Sequence, residues 1–349
     1  MTLVEMMVAM AIGLFMTGII AGLYINMRGS FRYQEDFARL QENGRFAMET
    51  LTRDIRMAGY NGCGNLTDFA NVVNGGSNDP TVTSQIPIYL NFQKPVFGYE
   101  GNSLPTALTD AGAINIAGGP DALILLGVDS SSELVVQDHQ PQSSSYRVNT
   151  RTHSIKTGEV LLIADCSHAT VFQVTGPGPG QTYVEHNDAG GTATPGNCTK
   201  YLGASCSSPN KSYQYKPGAS LFRIYSRAYF IAPSPSGSSR SLYAMDMTGQ
   251  TTVTPPEKNE LIEGVENMQV TYGLDTNGDR SADQFVAANS VANWSQVVSV
   301  RVSILAASKN DNISSTVQTY EYDNSSVTAT DRKVRKVFTE TVAVRNRTP

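Results

Sequence analysis

From Met6 to Met27 the chain carries no charge and almost no polarity. At about 1.5 Å per residue a helix of that run is roughly 33 Å long, enough to cross a bilayer core of about 30 Å. A secretory h-region is shorter, follows Lys or Arg and ends at a small-residue cleavage site; the run has none of these marks. One acid, Glu5, stands at its head. A carboxylate at the centre of a spanning helix costs roughly 2.5–3.5 kcal/mol on insertion scales, so an acid in such a place reads as functional even where a position near the helix end lowers the cost. Gly13, Gly18 and Gly22 offer small positions at which helices can pack closely.

The charges of Arg28-Gly-Ser-Phe-Arg-Tyr33 mark a water interface, and the helix is expected to continue past them. Phe37, Leu40, Gly44, Met48, Leu51, Ile55 and Ala58 recur at spacings of three and four, with Arg39, Glu42, Arg45, Glu49, Arg53 and Arg56 largely on the other faces. That is one apolar stripe on a polar helix. It predicts packing onto the chain's own sheet, a coiled-coil partner being the other reading. Gly59 is the expected stop. Beyond it, turn signals at 74–80 and 117–120 separate loop-rich stretches from strand-like runs at 122–128, 134–136, 160–164 and 170–174. The clearest strands lie at 221–231, 298–304 and 336–344. Gly176-Pro-Gly-Pro-Gly180 lacks the Lys-Ser/Thr that holds phosphate and Mg²⁺ and reads as a loop. Three segments are thus expected: 1–27 as the transmembrane half of the helix, 28–58 as its amphipathic half, and 59–349 as a β-rich globular domain.

Thr2, Leu3, Val4 and Glu5 before an apolar helix resemble the mature N-terminus of type IV pilins and pseudopilins. Members usually have Phe at the first position, N-methylated after leader removal; here it is Met1. The resemblance implies that Met1 to Glu5 serve subunit assembly, with Glu5 offsetting the N-terminal ammonium of a neighbouring subunit as the helix leaves the membrane for a filament core. Arg56-Met-Ala-Gly-Tyr60, followed by Cys63, resembles the PilW family of minor pilins, as does the Asp-rich loop near 275 with Trp294 to Arg301 after it. The fold implied is α+β: a long N-terminal helix, half in lipid and half on an antiparallel sheet, with long loops. The partners implied are other major and minor pilins, the inner-membrane assembly machinery, and the membrane before assembly. The place implied is the inner membrane first, with the body outside the cytoplasm, and the extracellular pilus afterwards.

Four cysteines on an exported body suggest disulfides. Cys198 and Cys206 enclose a short loop, which leaves Cys63 with Cys166 to tie the end of the helix to the sheet; the other two pairings stay open. A Zn site is not expected, since no CxxC occurs and the four histidines are scattered. Asp275, Asn277, Asp279 and Asp283 place oxygens at positions 1, 3, 5 and 9, the spacing that wraps Ca²⁺. Arg280 stands where an EF-hand has Gly, Val286 where it has the bidentate Glu, and the flanks read as strands. Ca²⁺ is the expected ligand, an ordinary Asp/Asn/Gly turn the alternative.

A net charge of −5 and a pI near 5.4 argue against a nucleic-acid-binding body. Neither Gly-x-Ser-x-Gly nor His-Glu-x-x-His occurs. His139, His153, His168 and His186 lie in polar stretches and read as surface residues, and Glu263 and Glu266 read as solvated acids. No catalytic residue is expected. The chain reads as a minor pilin that enters a pilus through its helix and primes assembly, with a major pilin, a secretion pseudopilin or a tip adhesin as rivals.

Overall fold

The structure is a computed structural model and describes residues 2–62, 68–74, 94–188, 196–203, 206, 208–237, 239–247 and 258–345. Its first element, α1 (Leu3–Met57), is one unbroken helix. The exposed apolar part and the seated part are continuous: the side chains are exposed as far as Glu35, and burial begins at Asp36. The predicted stripe is the seated face, with Leu40, Gly44, Met48, Leu51 and Ile55 buried and Phe37 half-buried. The helix ends at Met57, and Gly59 takes the left-handed conformation (φ 74°) that lets the chain turn away.

The strands follow as β1 (Asp68–Asn71), β2 (Val96–Tyr99), β3 (Ala122–Gln140), β4 (Ser145–Val148), β5 (Val160–Ala164), β6 (His168–Gln173), β7 (Tyr183–Glu185), β8 (Ser220–Pro233) and β9 (Arg240–Asp246). After them come β10 (Lys258–Glu263), β11 (Val265–Leu274), β12 (Gln284–Ala287), β13 (Val297–Ala307), β14 (Thr319–Tyr322), β15 (Ser325–Thr328) and β16 (Arg335–Ala343). A five-residue helix, α2 (Thr106–Asp110), interrupts the series between β2 and β3.

The sequence suggests one sheet, whereas the described residues form two larger sheets and a hairpin. A ten-stranded sheet runs β1-β6-β5-β8-β3-β4-β7, with β2 joined to β3, and β9 and β10 added beyond β8; a four-stranded sheet runs β12-β11-β13-β16; β14 and β15 pair only with each other. Every pairing is antiparallel except β1 with β6. Alternation fixes which face of a strand is apolar but not which sheet receives it, and β3, one 19-residue strand, carries both runs expected separately at 122–128 and 134–136.

The main core lies between α1 and the two sheets. Met48, Leu51 and Ile55 join Leu123, Leu125 and Tyr229 of the large sheet and Val270, Val300 and Val302 of the small one. Burying each of the larger aliphatic side chains contributes roughly 1.5–3 kcal/mol. Gly44 lets the helix come down on β16, because a Cβ there would fall inside the Phe338 ring. Asp121 links the sheets: its carboxylate accepts from Gly101 N (3.1 Å) and from Val270 N (2.8 Å), and burial pushes its pKa up to about 7.

Candidate functional site

Thr2 and Glu5 close a reciprocal capping box on α1. Thr2 N donates to Glu5 Oε2 at 2.8 Å, and Glu5 N donates to Thr2 Oγ1 at 3.4 Å. Thr-x-x-Glu is the sequence that makes this possible, and it satisfies two N–H groups that a helix start otherwise leaves open. Glu5 therefore has a local task before any neighbour arrives. Leu3 and Val4 are exposed, and Met1 lies outside the described residues. The apolar segment that follows contains an 18-residue window of mean hydropathy 2.2, none of it buried against the body. Leu14, Phe15, Ile20 and Ile25 present their side chains outward with nothing of this chain on them. Such a surface is unsuited to water and suited to lipid or to packed copies of similar helices.

The second half of the helix is held by polar contacts that the apolar stripe does not disclose. Asp54 is buried; it accepts from Arg227 Nη1 at 2.7 Å and from the Tyr229 hydroxyl, both on β8. Asp36 accepts from Asn310 Nδ2, and Asn43 Nδ2 donates to Glu263 O at 3.0 Å. Arg227 and Tyr229 thus point at the helix side of their sheet. Glu263 and Glu266 are not the solvated acids expected. Glu263 accepts from Ser236, Ser239 and Lys309, and the two serine hydroxyls, with smaller help from Lys309, bring its pKa down to about 2. Glu266 takes both ends of Arg335, whose guanidinium also holds Asp331 and is nearly buried.

The histidines also depart from expectation: His139, His153 and His186 are buried. His139 and His186 sit with Tyr146, Phe172 and Tyr215 in an aromatic cluster, ring centroids 5.5 Å apart between the two histidines. Burial lowers their pKa values to about 4 and about 3, so both rings are neutral and serve as packing. The polar sequence around them misleads because β4 and β7 pair on beside β3 and bring the two rings into one cluster.

Cys198 and Cys206 form the expected disulfide. By loop length a closure of this size contributes roughly 2–3 kcal/mol. Among the described residues Cys166 is a free, exposed thiol in the turn between β5 and β6, and its expected partner Cys63 lies outside them. A maleimide is accordingly expected to label Cys166 in the native, unreduced chain and to spare Cys198 and Cys206. Protection of Cys166, with a Cys63–Cys166 peptide in a non-reducing digest, would restore the second bond.

Asp275, Asn277, Asp279 and Asp283 share the turn between β11 and β12, where Asn277 Nδ2 donates to both Asp279 and Asp283. Their oxygens are already engaged by that turn. Asp275 accepts from Gly278 N (2.6 Å) and Arg280 N (2.8 Å), Asp283 from Thr276 N (2.8 Å) and Thr276 Oγ1 (2.6 Å), and Asp279 from Ser281 N (2.8 Å). Hydrogen bonds from Thr276 hold the Asp283 carboxyl below its usual range. Among the described residues no three acidic, His or Cys side chains converge closely enough to hold a metal ion.

An exposed apolar half-helix, unbroken into a half seated on largely antiparallel sheets, is the arrangement that the N-terminal resemblance implies. Residues 228–346 match the family model described as Type IV Pilus-assembly protein W, a stretch that takes in the end of β8 and all of the four-stranded sheet beneath the helix. Over that stretch the chain is similar to the PilW family. A type IV-like pilin from Thermus thermophilus is similar over 36% of this chain and 70% of its own, at 14% identity and a TM-score of 0.22, a likeness too slight to carry any conclusion. No curated protein matches the chain.

Proposed function

We propose that the chain is a minor pilin: a non-catalytic subunit that waits in the inner membrane with its body outside the cytoplasm, enters the pilus through α1, and helps to prime assembly in a small complex with other pilins at the tip. The single observation that supports this is the helix itself. Its apolar half is exposed throughout and continuous with a half bolted to the body, so extraction of the helix from lipid into a filament would carry the body along as a rigid attachment. Quantitative mass spectrometry of sheared, purified filaments tests the reading. A trace of this chain beside an abundant second pilin is expected; dominance of this chain would make it the building block and end the priming role.

Ca²⁺ at 275–283 is a separate proposal. It is supported by the oxygen spacing and by Arg280, whose left-handed backbone (φ 65°) reproduces the sharp turn that Ca²⁺ loops make at that position. It is opposed by carboxylates that already accept their own loop's N–H groups. A rise in the melting temperature of the detergent-solubilised chain on adding Ca²⁺, lost in Asp279→Ala, supports it. An unchanged melting temperature rejects it.

A further inference from the structure

Among the described residues β16 is an edge strand with only β13 beside it in its sheet. Antiparallel pairing uses the N–H and C=O of alternate residues. Val344 N donates to Val298 O at 2.9 Å, and Ser308 N to Val334 O at 2.8 Å, so the even-numbered residues of β16 face β13. The odd-numbered ones turn their backbone groups outward. At Arg335 those groups are covered: Gln318 accepts from Arg335 N at 2.7 Å and donates to Arg335 O at 2.8 Å, a side-chain amide standing in for a strand. At Thr339, Thr341 and Ala343 no described residue bonds the outward N–H or C=O, and all three are exposed.

Natural sheets commonly protect such an edge with Pro, Lys or a bulge. From Val337 to Ala343 this one has none of them, and its pairing with β13 is regular throughout. The side chains of Thr339 and Thr341 are drawn onto β13 by Ser303 (2.8 Å) and Arg301 (3.1 Å), which leaves the backbone edge clear. Along it lies a groove of about 790 Å³ between β16 and the flank of α1, lined by Arg45, Arg53, Arg56 and Arg345 against Glu49 and Glu340. Arg56 meets Glu340 at 3.6 Å and Arg53 meets Asp54 at 3.3 Å, so the remaining guanidiniums leave the groove positive on a chain that is acidic as a whole.

We propose that this edge is a docking site for an extended segment of another pilus subunit, added to the four-stranded sheet as a fifth strand beside β16, with carboxylates on the side that faces the arginines. Main-chain hydrogen bonds to Thr339, Thr341 and Ala343 set its register, and the charge selects among candidate segments. A phosphate-bearing lipid or nucleic acid would satisfy the arginines but not a row of alternating backbone donors and acceptors, which is why a peptide is favoured. The inference rests on the reading that the chain is built into a filament with other pilins.

Hydrogen exchange of the full chain tests it, read amide by amide in detergent and again in sheared filaments in which mass spectrometry has counted the chain. In detergent the amides of Thr339 and Thr341 should exchange much faster than those of Glu340 and Val342. In filaments they should slow by about tenfold or more. A photocrosslinking residue in place of Thr339 should then join this chain to one extended, carboxylate-bearing peptide of a second pilin, and Arg45→Glu with Arg53→Glu should abolish that cross-link in a chain that still folds. Unchanged exchange at Thr339 and Thr341 in filaments that contain the chain overturns the proposal, as do cross-links to lipid or nucleic acid alone. Absence of the chain from filaments would instead overturn the minor-pilin reading on which it stands.

Discussion

Replacing Asp54 by alanine should lower the stability of the full chain by about 2–4 kcal/mol, measured by denaturant unfolding in detergent. Breaking a buried pair from one side typically costs 3–5 kcal/mol, because the partner is left without compensation. The discount here comes from Arg227, whose side chain is 40% exposed and can turn partly to water. Tyr229 cannot: it is fully buried, and its hydroxyl loses the carboxylate outright. The two controls separate these contributions. Asp54→Asn keeps an acceptor oxygen and should lose roughly half as much. Tyr229→Phe removes the donor together with the need for an acceptor and should change stability by about 1 kcal/mol or less. A loss below about 1 kcal/mol in Asp54→Ala would mean that the apolar stripe alone seats the helix.

The contrast between Asp54 and that stripe shows what a sequence of this kind discloses. Leu40, Met48, Leu51 and Ile55 announce themselves because a helix repeats its faces every 3.6 residues, and burying them requires only that some apolar surface lie opposite. Asp54 sits on the same helix among arginines at positions 53 and 56, where a surface pair is the ordinary expectation. Its real partners are more than 170 residues away on β8, and no local pattern connects them. The same limit applies to Glu266 with Arg335 and to Asp36 with Asn310. Hydrophobic contacts are interchangeable and so leave a periodic trace; a buried polar contact is a single long-range pairing and leaves none.

The histidines err in the opposite way, through too much weight on local composition. Polar neighbours made His139 and His186 look exposed, yet their rings complete an aromatic cluster that only the pairing of β4 and β7 beside β3 creates. Loop spacing at Asp275 to Asp283 resembles a cation site, and the backbone N–H groups of the turn compete for the same oxygens. At the N-terminus Thr2-Leu3-Val4-Glu5 forms a capping box as well as the proposed assembly motif, and either role alone would explain a carboxylate at that position.

Those two roles of Glu5 can be pulled apart by experiment. Glu5→Ala removes both the cap and the charge, and incorporation into filaments, counted by mass spectrometry against the other pilins, should fall on the order of a hundredfold. That figure follows from about 2.5–3.5 kcal/mol for a charge left uncompensated in an apolar helix bundle, at 1.4 kcal/mol per tenfold. The body should keep its melting temperature, since residues 3–35 are exposed and the packed face begins at Asp36. Glu5→Gln is the decisive partner. Glutamine serves equally in a capping box, accepting from Thr2 N through its amide oxygen, but it brings no charge to meet a neighbour's ammonium. If charge is what assembly requires, Glu5→Gln should fail nearly as badly as Glu5→Ala. If it incorporates normally while Glu5→Ala does not, the carboxylate matters only for starting the helix, and the neighbour's ammonium must find another partner. Normal incorporation of both variants would remove Glu5 from the assembly mechanism altogether.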